Sequence, residues 1–328
     1  MVANDTRVLE LATIAPADYE RDVLPRSESL WANGRSFDEY VSDFQAVVAS
    51  SYGRRRFRTV GLKIEGVLVA SLKRYERDLL CAGRILRAVG IGAVFTPEGF
   101  RGRGYASAML GAFLDREHAA GSDIAYLFSD IHPAFYERLG FITLPSRSMT
   151  LRADSLPNER IKADALADGD WPAIARTYAS IEGGSRLTLR RTPVVWEYLR
   201  LRAQSHDRQG GSVRLGVRKG RSIIAYVTGR REPRADAFVV DEAVYAGDEG
   251  RAVFAALLRN AAGDLRKITG WLPPSPIREA LPRGAVRRRR DAIAMMVPLS
   301  AAAREGWRSQ SASLLTASSD LYWSADHV

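Results

Sequence analysis

Residues Ile91–Ala120, IGAVFTPEGFRGRGYASAMLGAFLDREHAA, decide how the chain is read. Ile91–Phe95 is a short apolar run that stops at Thr96-Pro97, since proline cannot donate to a strand ladder. Arg101-Gly102-Arg103-Gly104-Tyr105-Ala106 follows. Then Ala106, Met109, Leu110, Phe113 and Leu114 recur at the spacing of one helix face, and Gly121 is a stop. The order is strand, glycine-rich loop, helix. Glycines let the backbone take positive φ and come close to a ligand. Amides at a helix start point one way, and the helix dipole adds partial positive charge. With Arg101 and Arg103 beside them, a pyrophosphate suits the loop; taken alone, R-G-x-G also reads as an ordinary strand-to-helix turn. It is neither a Walker loop, for no Gly-Lys-Ser/Thr follows, nor the G-x-G-x-x-G dinucleotide fingerprint.

Further on, Ile124–Phe128 is a strand, Ser129-Asp130-Ile131 closes it, and Phe135-Tyr136-Glu137-Arg138-Leu139-Gly140-Phe141 spans a short helix and its exit. The order VFTP, RGRGYA, helix, strand, FYERLGF resembles the GNAT superfamily of acetyltransferases over roughly residues 55–150. Arg101, Gly104 and Ala106 meet its Arg/Gln-x-x-Gly-x-Gly/Ala motif. The resemblance implies an α/β (α+β) fold with a mixed central sheet splayed at an acetyl-CoA site. It implies that Arg101, Gly102, Arg103, Gly104, Tyr105 and Ala106 hold the CoA pyrophosphate, and that Ala93, Val94 and Phe95 pair with the pantetheine arm. Tyr136 is then the group that protonates the departing thiolate, or a half-buried packing residue. Asp130 is the group that steers the amine or takes its proton, or a turn cap. VFTP…RGRGYAS with LFSDI…FYERLGF also resembles the lysine N6-acetyltransferases of fungal lysine catabolism, which suggests a lysine-like primary amine as acceptor. Tandem aminoglycoside or protein-lysine acetyltransferases, and a non-catalytic acyl-CoA sensor, are the alternatives.

Composition bounds the rest. The 328 residues suggest two domains, and 46% apolar content is that of an ordinary protein with a sizeable core. No apolar run approaches the ~18–20 residues of a membrane span, and MVANDTRVLELAT has no signal-peptide pattern. Cys81 stands alone, so an internal disulfide is excluded, and His118, His132, His206 and His327 lack metal-ligand spacing. These features predict a cytoplasmic, cofactor-using protein with no metal, no membrane or nucleic-acid partner and room for a homo-oligomer; acetyl-CoA as the co-substrate and a small-molecule amine as the partner are what the resemblance implies. The net charge of +10 is uneven: residues 1–150 carry 19 Lys/Arg against 18 Asp/Glu, and residues 151–328 carry 29 against 20. The basic excess therefore lies away from the loop, notably at Arg287–Arg290, read as a solvated or oligomer-facing run. Arg54, Arg55, Arg56 and Arg58 read as a solvated loop within reach of CoA phosphates.

The predicted organisation is a GNAT-like catalytic domain over 1–153, a degenerate GNAT-like domain over 160–300 and a tail over 301–328. In the first, a helix runs to about Trp31, and Ser36 with Glu39 forms a capping box for a second helix. Trp31, Phe37 and Tyr40 are candidates for the acceptor wall or plain core. In the second, GVRKGRSIIAY from Gly216 weakly repeats GLKIEGVLVAS from Gly61. Its link Ala246-Gly247-Asp248-Glu249-Gly250-Arg251 lacks R-G-x-G and carries acids that repel pyrophosphate. In some tandem acetyltransferases the C-terminal carboxylate is the base, which makes Val328, or water, an alternative to Asp130.

Overall fold

The computed structural model describes residues 9–81, 83–182, 187–305 and 323–327. Val328 and most of the Ser/Ala-rich tail lie outside the described residues. Strand β1 (Leu9–Ile14) leads into α1 (Pro16–Asp22), α2 (Leu24–Trp31), α3 (Phe37–Ala49) and α4 (Ser51–Arg56). The single helix expected up to Trp31 is two, because Pro25 can only sit in the first turn of a new helix. The capping box forms: Glu39 N donates to Ser36 Oγ at 3.3 Å, and Ser36 N to the Glu39 carboxylate at 2.8 Å. Arg54–Arg56 are not a loop but the last turn of α4. Arg58 closes that helix by donating to the carbonyls of Gly53, Arg54 and Phe57, as suits a cation at a helix C-terminus.

The central pieces follow the sequence closely. β2 (Phe57–Ile64) and β3 (Val67–Cys81) form a hairpin about Glu65-Gly66, whose φ values of 50° and 81° make the turn type that matches strand twist. β4 (Arg84–Phe95), α5 (Tyr105–Ala119) and β5 (Ile124–Ser129) come next. After them are α6 (Ala134–Glu137), β6 (Ile142–Thr143), β7 (Arg147–Arg152) and the short β8 (Asp164–Ala165). The second half contains α7 (Trp171–Glu182), β9 (Leu187–Arg190), α8 (Pro193–Arg208), β10 (Ser212–Lys219) and β11 (Ser222–Glu232). It continues with β12 (Ala237–Tyr245), α9 (Gly247–Ala262), β13 (Lys267–Trp271), α10 (Ser275–Glu279), β14 (Ala285–Arg288) and β15 (Ile293–Pro298).

Two mixed sheets result. The first runs β1-β2-β3-β4-β5-β15-β6, with β9 paired to the end of β3; the second runs β14-β7-β13-β12-β11-β10-β8. In each, one parallel pair is joined through a helix: β4–α5–β5 and β12–α9–β13. The weak repeat thus marks equivalent hairpins, β2–β3 and β10–β11. The sheets do not divide the chain at 153/160: the second takes β7 from the first half, and the first takes β9 and β15 from the second. β7 pairs with β13 and β14 in the second sheet, and β15 returns to lie between β5 and β6 in the first. Sandwiched between neighbours and faces, β5 is buried at every residue. α5 buries Met109, Leu110, Phe113 and Leu114 against the first sheet, and α9 buries Phe254, Leu257 and Leu258 against the second.

Arg287 and Arg288 are exposed on the edge strand β14. Arg289 departs from the solvated run expected there. Its guanidinium lies over the Trp271 ring at 3.6 Å, and burial pushes its pKa down to about 10.

Candidate active site

The site begins where a strand pair stops. β4 and β5 pair only from Ala88–Ile91 to Ile124–Leu127, although β4 runs on to Phe95 and β5 to Ser129. Past Ile91 the strands part, so the β5-facing edge of Gly92–Phe95 is open. A bulge fixes the parting: Ala93 and Val94 together oppose the single Leu72 on β3, and Ala93 takes φ of +48°. A cleft of about 690 Å³ opens there. Ala93, Val94, Asp130 and Tyr136 all line it. Phe95 does not: it is buried behind the wall, with Trp31 edge-on at 6.0 Å.

The glycine loop stands just beyond β4, outside the cleft lining and open to solvent at Arg101–Gly104. Gly102 and Gly104 have φ of +75° and +80°, and Gly104 caps α5. A Cβ at either position would meet no protein atom within 4 Å, so packing is not what requires glycine here. The α5 ladder opens with Ala108 N on Gly104 O at 3.0 Å, which leaves the preceding amides pointing outward. Arg101 Nε donates to Thr96 O at 3.1 Å, Arg103 lies over the Phe100 ring at 6.0 Å, and Tyr105 stacks edge-on to Phe100 at 6.3 Å. Ala106 is half-buried in the first turn. Open amides, a dipole and two arginine heads make a nest for a diphosphate, and the bare β4 edge beside it has unpaired amides and carbonyls for an amide-bearing arm. Acetyl-CoA has both parts, so these residues fit it.

Tyr136 sits on α6, buried between Phe135 at 4.9 Å and Phe141 at 5.9 Å. Burial, with the Asp130 charge adding, pushes its phenol up to about 12, so it holds its proton at neutral pH. Its hydroxyl has no hydrogen bond to a described residue. Asp130 is exposed at the end of β5; its Oδ1 accepts from Ala292 N at 2.8 Å, so it braces the turn before β15 as well as facing the cleft. Of the aromatic candidates, Trp31 and Tyr40 line the cleft, whereas Phe37 packs against the helical core instead.

Two features were not legible beforehand. Lys73 projects from the middle of β3 into the cleft; the strand's other cations, Arg74 and Arg77, pair with carboxylates elsewhere. The far wall comes from the second half: Arg202, Ser205 and His206 of α8, together with His327. His327 is neutral, since burial and the nearby Arg202 and Arg289 charges push its pKa down to about 3. The periodicity of α8 reveals its apolar face only; nothing local says what its polar face meets.

The second sheet has a matching parting, for β12 pairs with β13 only up to Val240–Gly270. There, however, Trp323 is buried in the second core and Ser324 Oγ donates to Asp241 O at 3.2 Å. The chain's own end fills the place, and α9 starts with Asp248 and Glu249 in place of arginines. Among the described residues no group of three or more His, Cys, Asp or Glu is placed to hold a metal ion, and no helix is long and apolar enough to cross a membrane.

Comparison with known proteins agrees with this geometry. Residues 28–143 match the model of the acetyltransferase (GNAT) domain family. A lysine acetyltransferase of Yarrowia lipolytica is 34% identical over 109 residues, which span 31% of this chain and 28% of that protein, so less than a third of the relative's length is matched. Among solved structures, a GCN5-related N-acetyltransferase from Kribbella flavida aligns with TM-score 0.65 at 18% identity, covering 91% of this chain and 73% of that one. Another, from Anabaena variabilis, aligns with TM-score 0.70 at 15% identity, covering 90% and 74%. At such identities the likeness is one of fold, and it extends across both sheets. The bulge at Ala93, the glycine nest at the start of α5 and the opened β4–β5 pair all fall inside the segment, residues 28–143, that matches the acetyltransferase (GNAT) domain model.

Proposed function

We propose that the protein transfers the acetyl group of acetyl-CoA to a primary amine of a small molecule by direct attack within a ternary complex. The observation that carries this is the open β4 edge and the protonated Tyr136 lining one cleft, with the outward amides at Gly102–Gly104 just beyond the end of that same strand. Arg101, Arg103 and the loop amides bind the diphosphate, and the edge from Ala93 holds the arm so that the thioester reaches the cleft. Acetyl-CoA supplies an activated acyl group; the protein supplies position and protons. A backbone N–H of the open edge stabilises the carbonyl oxygen. Asp130 takes the amine proton, directly or through water, and Tyr136 gives its proton to the leaving sulfur. A cleft walled by α8 and α3 supports a compact acceptor rather than a protein tail.

Titration calorimetry and a thiol-release assay over a panel of amines test the reading. Stoichiometric acetyl-CoA uptake with amine-dependent thiol release is expected. Tyr136→Phe should lower kcat about 100-fold, with the KM for acetyl-CoA within about twofold of wild type. Uptake without release for any amine would leave a binding protein, and no uptake by folded protein would overturn the reading altogether.

A further inference from the structure

The charges round the cleft do not balance. Asp43, on α3, is saturated: Arg35 Nη1 binds Oδ2 at 2.7 Å, Ser205 donates to the same oxygen and Arg208 binds Oδ1. Arg35 also donates to the carbonyls of Trp31 at 2.6 Å and Ala32 at 2.7 Å. Arg202 donates to the carbonyls of Ala325 and His327. These cations are spent on holding α2, α3, α8 and the chain end together. Lys73 is different. Its ammonium has no carboxylate within ion-pair distance and no hydrogen bond among the described residues. It hangs over three rings instead, with Nζ 5.7 Å from the centroid of Tyr19, 5.8 Å from Tyr40 and 5.3 Å from Phe44.

Its place in the fold gives this meaning. Lys73 pairs with Gly92 across β3–β4, one residue before the bulge at which the sheet parts. A half-buried, unpaired ammonium destabilises a fold unless something binds it. Ring faces hold a cation weakly and leave its N–H groups free.

We propose that Lys73 is the anion receptor of the acceptor pocket, and that the acceptor is an amine bearing a carboxylate, an amino carboxylic acid. The proposal rests on the acetyl-transfer reading above. One compact ammonium among aromatic rings matches a monoanion. A phosphate would call for arginine forks or a nest of amides, and the arginines here are already engaged. The carboxylate rests on Lys73, and the chain of the substrate carries its amine toward Asp130 and the thioester.

The experiment compares ω-amino acids of increasing length with alkylamines of matched length, for example 6-aminohexanoate with hexylamine, in wild type, Lys73→Met and Lys73→Arg. Wild type should favour the carboxylate-bearing member of at least one pair by tenfold or more in kcat/KM. Lys73→Met should raise the KM for that substrate about tenfold or more, leave kcat within about threefold, and leave hexylamine and acetyl-CoA unaffected. Lys73→Arg should restore much of the loss. Calorimetric titration of hexanoate gives a readout without turnover, with binding expected to wild type and lost in Lys73→Met. Equal use of both members of every pair, or equal losses for both in Lys73→Met, would overturn the receptor while acetyl transfer stands. Hexanoate binding that depends on Lys73, without acetylation of any amine, would support the receptor and overturn acetyl transfer. No hexanoate binding and no preference would overturn the proposal.

Discussion

Lys73 and Tyr136 are both shifted by burial, but in ways that suit opposite tasks. Burial, with the Arg35 charge adding, pushes Lys73 down to about 8. A lysine lowered from its usual 10.5 costs stability wherever it must be charged in the fold, and that cost fades as pH rises through 8 toward 10.5. Lys73→Met should therefore be more stable than wild type at pH 7, by roughly 1–3 kcal/mol, and thermal melts will show it as a higher Tm. A loss of Tm would mean that the ammonium is satisfied in the fold. The same titration gives a functional signature. The KM for 6-aminohexanoate relative to hexylamine should rise above pH 8 as Lys73 loses its proton. Around it, Tyr19 and Tyr40 are raised by burial and stay neutral there, and His206 on α8, pushed by burial to about 4, is neutral throughout. Tyr136, at about 12, contributes no limb to the rate profile below pH 11.

At the scale of elements, the informative contrast is between α5 and α8. The start of α5 was legible because its chemistry is local: glycine, arginine, helix period and the stop of β4 at Pro97 all lie within one short stretch. The parting of β4 from β5 followed only through family resemblance, and the bulge at Ala93 was not foreseen, since no residue type in GAVF demands one. α8 was legible as a helix opening at Thr192-Pro193, but its place at the cleft, β15 and the exchange of β7 were not, because they are set by partners far away in sequence; β15 meets β5 across about half the chain. Lys73 was missed for a related reason: within β3 it reads as one of several charged residues in Lys73–Asp78, and only its three aromatic neighbours, drawn from two helices, make it conspicuous. The local part is open to a local test. Gly104→Ala places a Cβ in empty space but forces a left-handed residue, which costs about 1 kcal/mol. Acetyl-CoA binding should weaken about tenfold or more while Tm falls by only a few degrees; equal affinity by calorimetry would remove the nest from the binding site. By comparison, Ser36→Ala at the cap of α3 should cost about 1 kcal/mol of stability without touching acetyl-CoA binding.

In the whole molecule, the cleft depends on how the two sheets are locked together, and the lock is electrostatic. Arg77 of the first sheet, Arg191 after β9 and Glu242 of the second sheet meet Asp326, and all four are buried. Asp326 accepts from Arg77 Nη2 at 3.1 Å and from Arg191 Nη2 at 2.7 Å, and Arg191 Nη2 reaches Glu242 at 2.5 Å. Burial alone would raise the Asp326 carboxyl, but the two guanidiniums outweigh it and hold it below its usual range. One residue on, His327 forms part of the cleft wall, edge-on to Phe128 at 5.2 Å. The end of the chain therefore plugs the second sheet's parting with Trp323, neutralises the seam with Asp326 and lines the first sheet's cleft with His327. Asp326→Asn keeps the shape but leaves two buried guanidiniums against one remaining carboxylate, which should cost about 3–5 kcal/mol. If the lock positions the cleft, Tm should drop by several degrees and the KM for the amine should rise, while the Kd for acetyl-CoA, which the proposed function assigns to the loop before α5, stays within about twofold. If amine and acetyl-CoA binding weaken together, the seam supports the first sheet as a whole and not the acceptor wall. An unchanged Tm would show that the quartet does not hold the halves together.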